Sequence, residues 1–237
     1  MNAIASDCVV IAIDGPAGSG KSTAARTLAR HLGYAYLDTG ALYRAVAFAA
    51  QERAIAWDDE KALALMLSEL CLELDQDDSG EAVVRIDGQF HKDTLRHNAI
   101  SQGASVVSKQ HAVRDALLHH QRAQTWTNQG LVADGRDMGT VVFPQAALKV
   151  FLTASIETRA QRRQADLETR GELFPLESIR ADIEARDAQD SQRAIAPMKA
   201  ARDAIIIHTD GKDAHQVVEV LRKLAFERLP SVALSQE

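Results

Sequence analysis

Short unbroken apolar runs alternate with helical stripes along most of this chain. Val9-Val10-Ile11-Ala12-Ile13 is continuous and of strand length, the pattern of a strand covered on both faces. It stops in Asp14-Gly15-Pro16-Ala17-Gly18-Ser19-Gly20, too rich in Gly and Pro to prolong the strand. Lys21–Leu32 then reads as a helix halted by Gly33, and residues 34–37 as a second short strand. A helix over 40–51 follows, with Leu42, Val46 and Ala49 on one face. Strand, loop, helix, strand in so short a stretch is the βαβ signature of a parallel sheet.

After a further helix at 58–67 the pattern changes. Residues 71–74, 82–86 and 89–91 are short extended pieces, and Asp87-Gly88 between the last two is a tight hairpin signal. They predict a small antiparallel sheet inserted into an α/β domain. Helical patterns return at 98–107 and 112–127. Residues 131–134, 148–152 and 204–207 supply the third, fourth and fifth core strands, with helices at 156–167, 176–186 and 213–226.

Composition narrows the class. Of the 237 residues, 46% are apolar and 25% charged, an ordinary globular balance. The apolar runs fall far short of the roughly 18–20 residues that span a bilayer. The N-terminal segment before Cys8 carries an acidic residue and no basic one, unlike a secretory leader. Cys8 and Cys71 lie far apart, so neither a disulfide scaffold nor a metal knuckle is expected, and a reducing, cytoplasmic setting fits. Only the tail after Pro230 looks compositionally disordered. A net charge of −6 argues against a protein that coats nucleic acid. Yet arginine outnumbers lysine by 19 to 8, and eight arginines lie between Arg159 and Arg202. That suits a small phosphorylated ligand better than a polymer; the bland alternative is a helix surface of alternating charges.

The chemistry begins at Gly15-Pro16-Ala17-Gly18-Ser19-Gly20-Lys21-Ser22, which fits the pattern Gly, four residues, Gly-Lys-Ser/Thr between a strand and a helix. Glycines let successive backbone N–H groups curl inward onto phosphate oxygens, and the following helix adds its positive end. The Lys21 ammonium can reach the β- and γ-phosphates, and the Ser22 hydroxyl can ligate Mg²⁺. Such a loop implies a nucleoside triphosphate but no particular reaction. The chain has no Asn-Lys-x-Asp base-reading motif of a GTPase, and no obvious Ser-His-Asp or Cys-His constellation. Its spare arginines suit two phosphate-bearing substrates meeting head to head, whose charges must be neutralised. A phosphate acceptor, largely dianionic at neutral pH, also needs no general base.

Five segments in order resemble the bacterial cytidylate kinase family: residues 15–23, Leu37-Asp38-Thr39-Gly40-Ala41-Leu42-Tyr43-Arg44, Ala133-Asp134-Gly135-Arg136-Asp137-Met138-Gly139-Thr140, Phe151-Leu152-Thr153-Ala154-Ser155 and Arg186-Asp187-Ala188-Gln189-Asp190-Ser191-Gln192-Arg193. The resemblance implies a three-layer α/β fold of the P-loop NTPase type with a five-stranded parallel sheet. It implies a core of residues 1–38 and 116–237, a monophosphate-binding insertion over 39–115 and a helical lid near 159–190. ATP is the implied phosphate donor, with Mg²⁺, and CMP or dCMP the acceptor. No polymer, membrane or second subunit is expected as a partner. His208-Thr209-Asp210 stands where the family often has Asp-Thr-Ser, so the resemblance assigns that segment no contact with the ATP base. Residues 193–197 also depart, with Ala where many relatives have Ser.

The same resemblance distributes the site. Gly15, Pro16, Ala17, Gly18, Ser19, Gly20, Lys21, Ser22 and Thr23 hold the donor. Ser22 and Asp134 serve the metal, the alternative for Asp134 being a buried carboxylate that caps the next turn. Thr39, Arg44, Ser105, Arg114, Arg136, Asp137, Arg186, Asp190 and Arg193 bind the acceptor. Within that set Arg44 and Arg136 serve the phosphate, while Ser105, Arg114 and Asp137 serve the base. Asp137 can accept from the cytosine N4 amino group, as acidic side chains do in DNA. Lys21, Arg136, Arg159, Arg163 and Arg186 are the groups expected around the transferring phosphoryl. Other small-molecule P-loop kinases, for adenylate, shikimate or dephospho-coenzyme A, and a non-catalytic nucleotide switch, are the competing readings.

Overall fold

The apolar run near the N-terminus becomes the central strand of the molecule. In the computed structural model, which describes residues 8–76, 82–91, 93–123 and 130–229, β1 (Val9–Asp14) runs parallel between two distant partners. These are β6 (Gly130–Gly135) and β7 (Leu148–Thr153), with Ile11 opposite Val132 on one side and Leu148 on the other. β2 (Ala35–Asp38) and β8 (Ile205–His208) complete a parallel sheet of order β2-β6-β1-β7-β8. The expected tail after Pro230 and the expected helix end at 124–127 lie outside the described residues.

Side chains alternate across a strand, and β1 uses both faces. Ile11 and Ile13 point at α1 (Lys21–Leu32) and α8 (Ala214–Arg228), packing with Ala25, Leu28, Val218 and Leu221. Val10 and Ala12 point the other way, to Leu37, Leu131, Met138 and Phe143. The second face is closed in part by a π-helical turn, Met138–Val142, that the sequence pattern did not predict. Asp14 makes it possible. Its buried carboxylate accepts from Met138 N at 2.7 Å and Gly139 N at 2.8 Å.

Residues 39–123 form a second body. α2 (Thr39–Glu52), α3 (Glu60–Glu69), α4 (Asn98–Val107) and α5 (His111–Ala123) surround one apolar cluster with the antiparallel sheet β3 (Leu72–Gln76), β4 (Ala82–Ile86) and β5 (Gln89–Phe90). Asp87 and Gly88 both take positive φ in the β4–β5 turn, as the hairpin signal required. Val113 and Leu117 belong to this cluster, so the expected boundary at 115 falls inside α5. Two further helices, α6 (Ile156–Glu168) and α7 (Leu176–Gln192), share a small apolar seam of Ala160, Leu167, Ile179 and Ile183. α7 runs past its expected end at 186 to include Asp190, with Arg193 as its C-terminal cap. Among the described residues no helix is long and apolar enough to cross a membrane.

Candidate active site

The loop after β1 folds as its glycines dictate. A Cβ on Gly15 would lie 2.0 Å from the carbonyl oxygen of Leu152, so the chain can leave the sheet there only as glycine. Gly20, at φ 85°, caps the start of α1. Between them the loop faces a cavity of about 780 Å³ lined from Ala17 through Ala24. Gly15 and Pro16 do not line it; they shape the turn from behind. Lys21 is buried and donates from Nζ to Pro16 O at 3.1 Å. Burial, and next the Arg136 guanidinium, pull the Lys21 pKa below its ordinary value.

Ser22 Oγ donates to Asp134 Oδ2 at 2.8 Å, and the hydroxyl of Tyr36 to Asp134 Oδ1 at 2.7 Å. Burial, and next the Asp38 carboxylate, push the Asp134 carboxyl above the usual range. Thr39 Oγ1 donates to Asp134 O at 2.8 Å, tying the start of α2 to the end of β6. Asp38 caps that helix, accepting from Ala41 N at 3.1 Å, and its other oxygen takes Arg44 at 2.9 Å.

The far end of the cavity is an ionic chain. Arg114 of α5 bonds Asp137 at the π-helical turn, and the other Asp137 oxygen lies 3.6 Å from Arg193. Arg193 is 3.8 Å from Asp190 Oδ1, whose Oδ2 takes Arg136 Nε at 2.9 Å. The order is plus, minus, plus, minus, plus. All five groups line the cavity. Burial raises the Asp137 carboxyl against the pull of Arg114 and Arg193. For Asp190 burial is outweighed by Arg136, Arg186 and Arg193 together, which hold it below its usual value. Arg186 enters the cavity with no carboxylate in ion-pair reach among the described residues, and its Nε is buried without a partner. Burial and then Arg136 bring its pKa down to about 10, so it remains a cation.

The three arginines of α6 separate. Arg163 lines the cavity and donates to Asn98 Oδ1 at 3.0 Å. Arg159 does not line it. It is buried behind the loop, donating to Ala154 O at 3.0 Å, Ala17 O at 3.2 Å and Asp187 at 2.5 Å. Arg162 also faces the cavity while gripping Thr209, with NH2 to Thr209 O at 2.8 Å. Thr209 itself is buried behind the phosphate loop, where its Oγ1 donates to Ser19 O at 3.2 Å, while Lys212, Asp213, Ala214 and Val217 just after it line the cavity.

Sequence reasoning also missed Asp14, Tyr36 and Gln189, along with Arg26, Arg96 and Arg170 on the cavity wall. Only Asp14 left a visible signal, a carboxylate ending a wholly apolar strand. Burial raises it to about 6 despite two backbone N–H donors.

Residues 11–226 match the family model described as cytidylate kinase. The chain belongs to the cytidylate kinase family. A cytidylate kinase of Pseudomonas syringae pv. tomato is 47% identical over 218 residues, covering 91% of this chain and 95% of its own. A second, from a Geobacillus species, is 42% identical over 92% of this chain and 97% of its own. A bifunctional pantoate ligase/cytidylate kinase of Prochlorococcus marinus is 44% identical over 93% of this chain but 44% of its own. A solved shikimate kinase from Acinetobacter baumannii aligns over 94% of this chain at a TM-score of 0.40 and 16% identity, too loose to say anything of the acceptor. Family membership and the loop agree on the coarse point: a P-loop kinase.

Proposed function

We infer that this chain transfers the γ-phosphate of ATP to CMP or dCMP, giving ADP and CDP or dCDP, within the cytoplasm. The observation that carries the reading is one cavity of about 780 Å³ lined both by the phosphate loop and by the Asp137–Asp190 ionic chain. The donor triphosphate lies along Ala17–Thr23, with the backbone N–H groups and Lys21 on its phosphates. Ser22 and Asp134, two hard oxygen ligands 2.8 Å apart, would hold Mg²⁺, which would supply positive charge to the triphosphate.

The acceptor phosphate, already a dianion, needs orientation rather than deprotonation. Arg44 and Arg136 hold it, and Arg186, which has no carboxylate in ion-pair reach among the described residues, faces the phosphoryl group in flight. An acceptor oxygen bonds to the γ-phosphorus as the bond to the β-bridging oxygen breaks, and the pair of electrons leaves with ADP. Arg163 covers this region from α6, and Arg159 supports the loop from behind through Ala17. At the base, Asp137 accepts from the cytosine amino group with lone pairs left over from Arg114 and Arg193, since a carboxylate offers about four. Ser105 and Arg114 read the rest of the pyrimidine edge, while Thr39, Asp190 and Arg193 hold the sugar side. ADP release, measured with CMP, dCMP, UMP, AMP and shikimate in turn, tests the reading. CMP and dCMP should be fast, UMP slower and AMP negligible; faster turnover of AMP than of CMP overturns it.

A further inference from the structure

The hydroxyl of Ser105 is oriented by a residue on a different body. Gln189, half-buried on α7, places Nε2 2.8 Å from the Ser105 carbonyl oxygen and 2.7 Å from Ser105 Oγ. The carbonyl can only accept, so the nitrogen and not the oxygen of the amide faces α4. The flipped amide would set oxygen against oxygen. The same NH₂ therefore donates to Oγ and occupies one lone pair of the hydroxyl.

A serine within a helix ordinarily turns its hydroxyl back to a carbonyl of the preceding turn. Ser108, one turn on, does this, donating to Ser105 O at 2.9 Å. Ser105 does not. It is buried and lines the cavity, and among the described residues no acceptor takes its hydroxyl proton. The proton is left for whatever occupies the cavity.

We propose that Gln189 is a positioning residue for base choice: through Ser105 it presents a hydrogen-bond donor to the ring nitrogen N3 of the pyrimidine. The inference rests on the reading that Ser105 borders the base. Cytosine N3 is an acceptor and receives that proton. Uracil carries hydrogen on N3, so two donors face one another and both go unpaired. Asp137 makes the complementary demand at the exocyclic group. Because Ser105 belongs to α4 and Gln189 to α7, the donor exists in this form only while α7 lies against α4. Base choice and lid position are thus joined in a single hydrogen bond.

Steady-state kinetics with CMP and UMP on wild type, Gln189→Ala, Ser105→Ala and the double variant test this. Gln189→Ala should lower the CMP-to-UMP ratio of kcat/KM by about tenfold, chiefly through the KM for CMP. In the Ser105→Ala background the same change should do nothing further to the ratio. Gln189→Glu, whose carboxylate would take the serine proton for itself, should lower the ratio at least as far. An unchanged ratio overturns the proposal. So does an equal loss of kcat for both substrates that persists without the serine, since that is the behaviour of a simple latch. A wild-type protein with no preference for CMP would instead remove the reading of function beneath it.

Discussion

At the loop end of the cavity the lining groups come from consecutive residues, Ala17 to Thr23. At the other end they are side chains from α2, α5, α7 and the turn after β6, spread from Arg44 to Arg193. The first arrangement needs glycines in the right places and a helix to follow. The second needs buried charges, and each buried charge needs a partner. That is why Asp137 and Asp190 are each shared between arginines, and why the chain ends on cations. The loop's signal is local in the sequence; the ionic chain is specified by the whole fold and fragile to the loss of any member.

The contrast can be broken most sharply at Lys21. Lys21→Met keeps the volume of a buried side chain and removes the charge that follows the phosphoryl group. We expect kcat to fall by on the order of 10³-fold or more, with little change in melting temperature. A folded variant with near-normal turnover would mean that the backbone alone suffices. At the other end, stability and selectivity should fall together. Asp137→Ala strands Arg114 and Arg193 without their shared carboxylate, which costs about 3–5 kcal/mol in chemical denaturation. Assayed where it remains folded, it should also lose most of its preference for CMP over UMP. A full loss of stability with the CMP-to-UMP ratio intact would make Asp137 scaffolding alone.

A smaller effect sharpens the border between the two ends. Asp14 titrates at about 6 in the folded chain against 3.8 when free, because burial disfavours its charge. The folded state therefore binds this proton more tightly than the unfolded state. Its contribution to stability is whole below about pH 4 and is lost as pH rises through about 6, amounting to no more than about 3 kcal/mol. Wild type minus Asp14→Asn, followed by denaturation from pH 4 to 7, should show that decline; a difference independent of pH refutes it. The ionised carboxylate is nonetheless the form that accepts from both Met138 and Gly139, so stability is exchanged for a fixed turn beside Arg136 and Asp137.

The same division explains what could be read from the sequence. α1 and α4 run as the pattern predicted, from Lys21 to Leu32 and from Asn98 to Val107, because periodicity and flanking glycine or polar residues are local signals. The loop was legible for the same reason. The acceptor residues were reached through family resemblance, since nothing near Arg114 announces Asp137. Asp14 meets Gly139 across 125 positions, and Gln189 meets Ser105 across 84. Such partners carry no spacing rule. Arg159 shows the reverse: its place one turn from Arg163 was visible, but not that packing against Ala17 would turn it behind the loop.

The strand order has a consequence for how the chain is made. β1 and β2 leave the ribosome early but are not neighbours; each must wait for β6, which begins at Gly130, before it has a partner. The apolar cluster between Ala41 and Leu117 has no such delay, because all of its members are synthesised before β6. During elongation the insertion can therefore close on itself while its host still lacks a sheet. Over that interval Val9–Asp14 presents two unpaired edges and an apolar surface on each face, which is the form in which a nascent chain most readily associates with another.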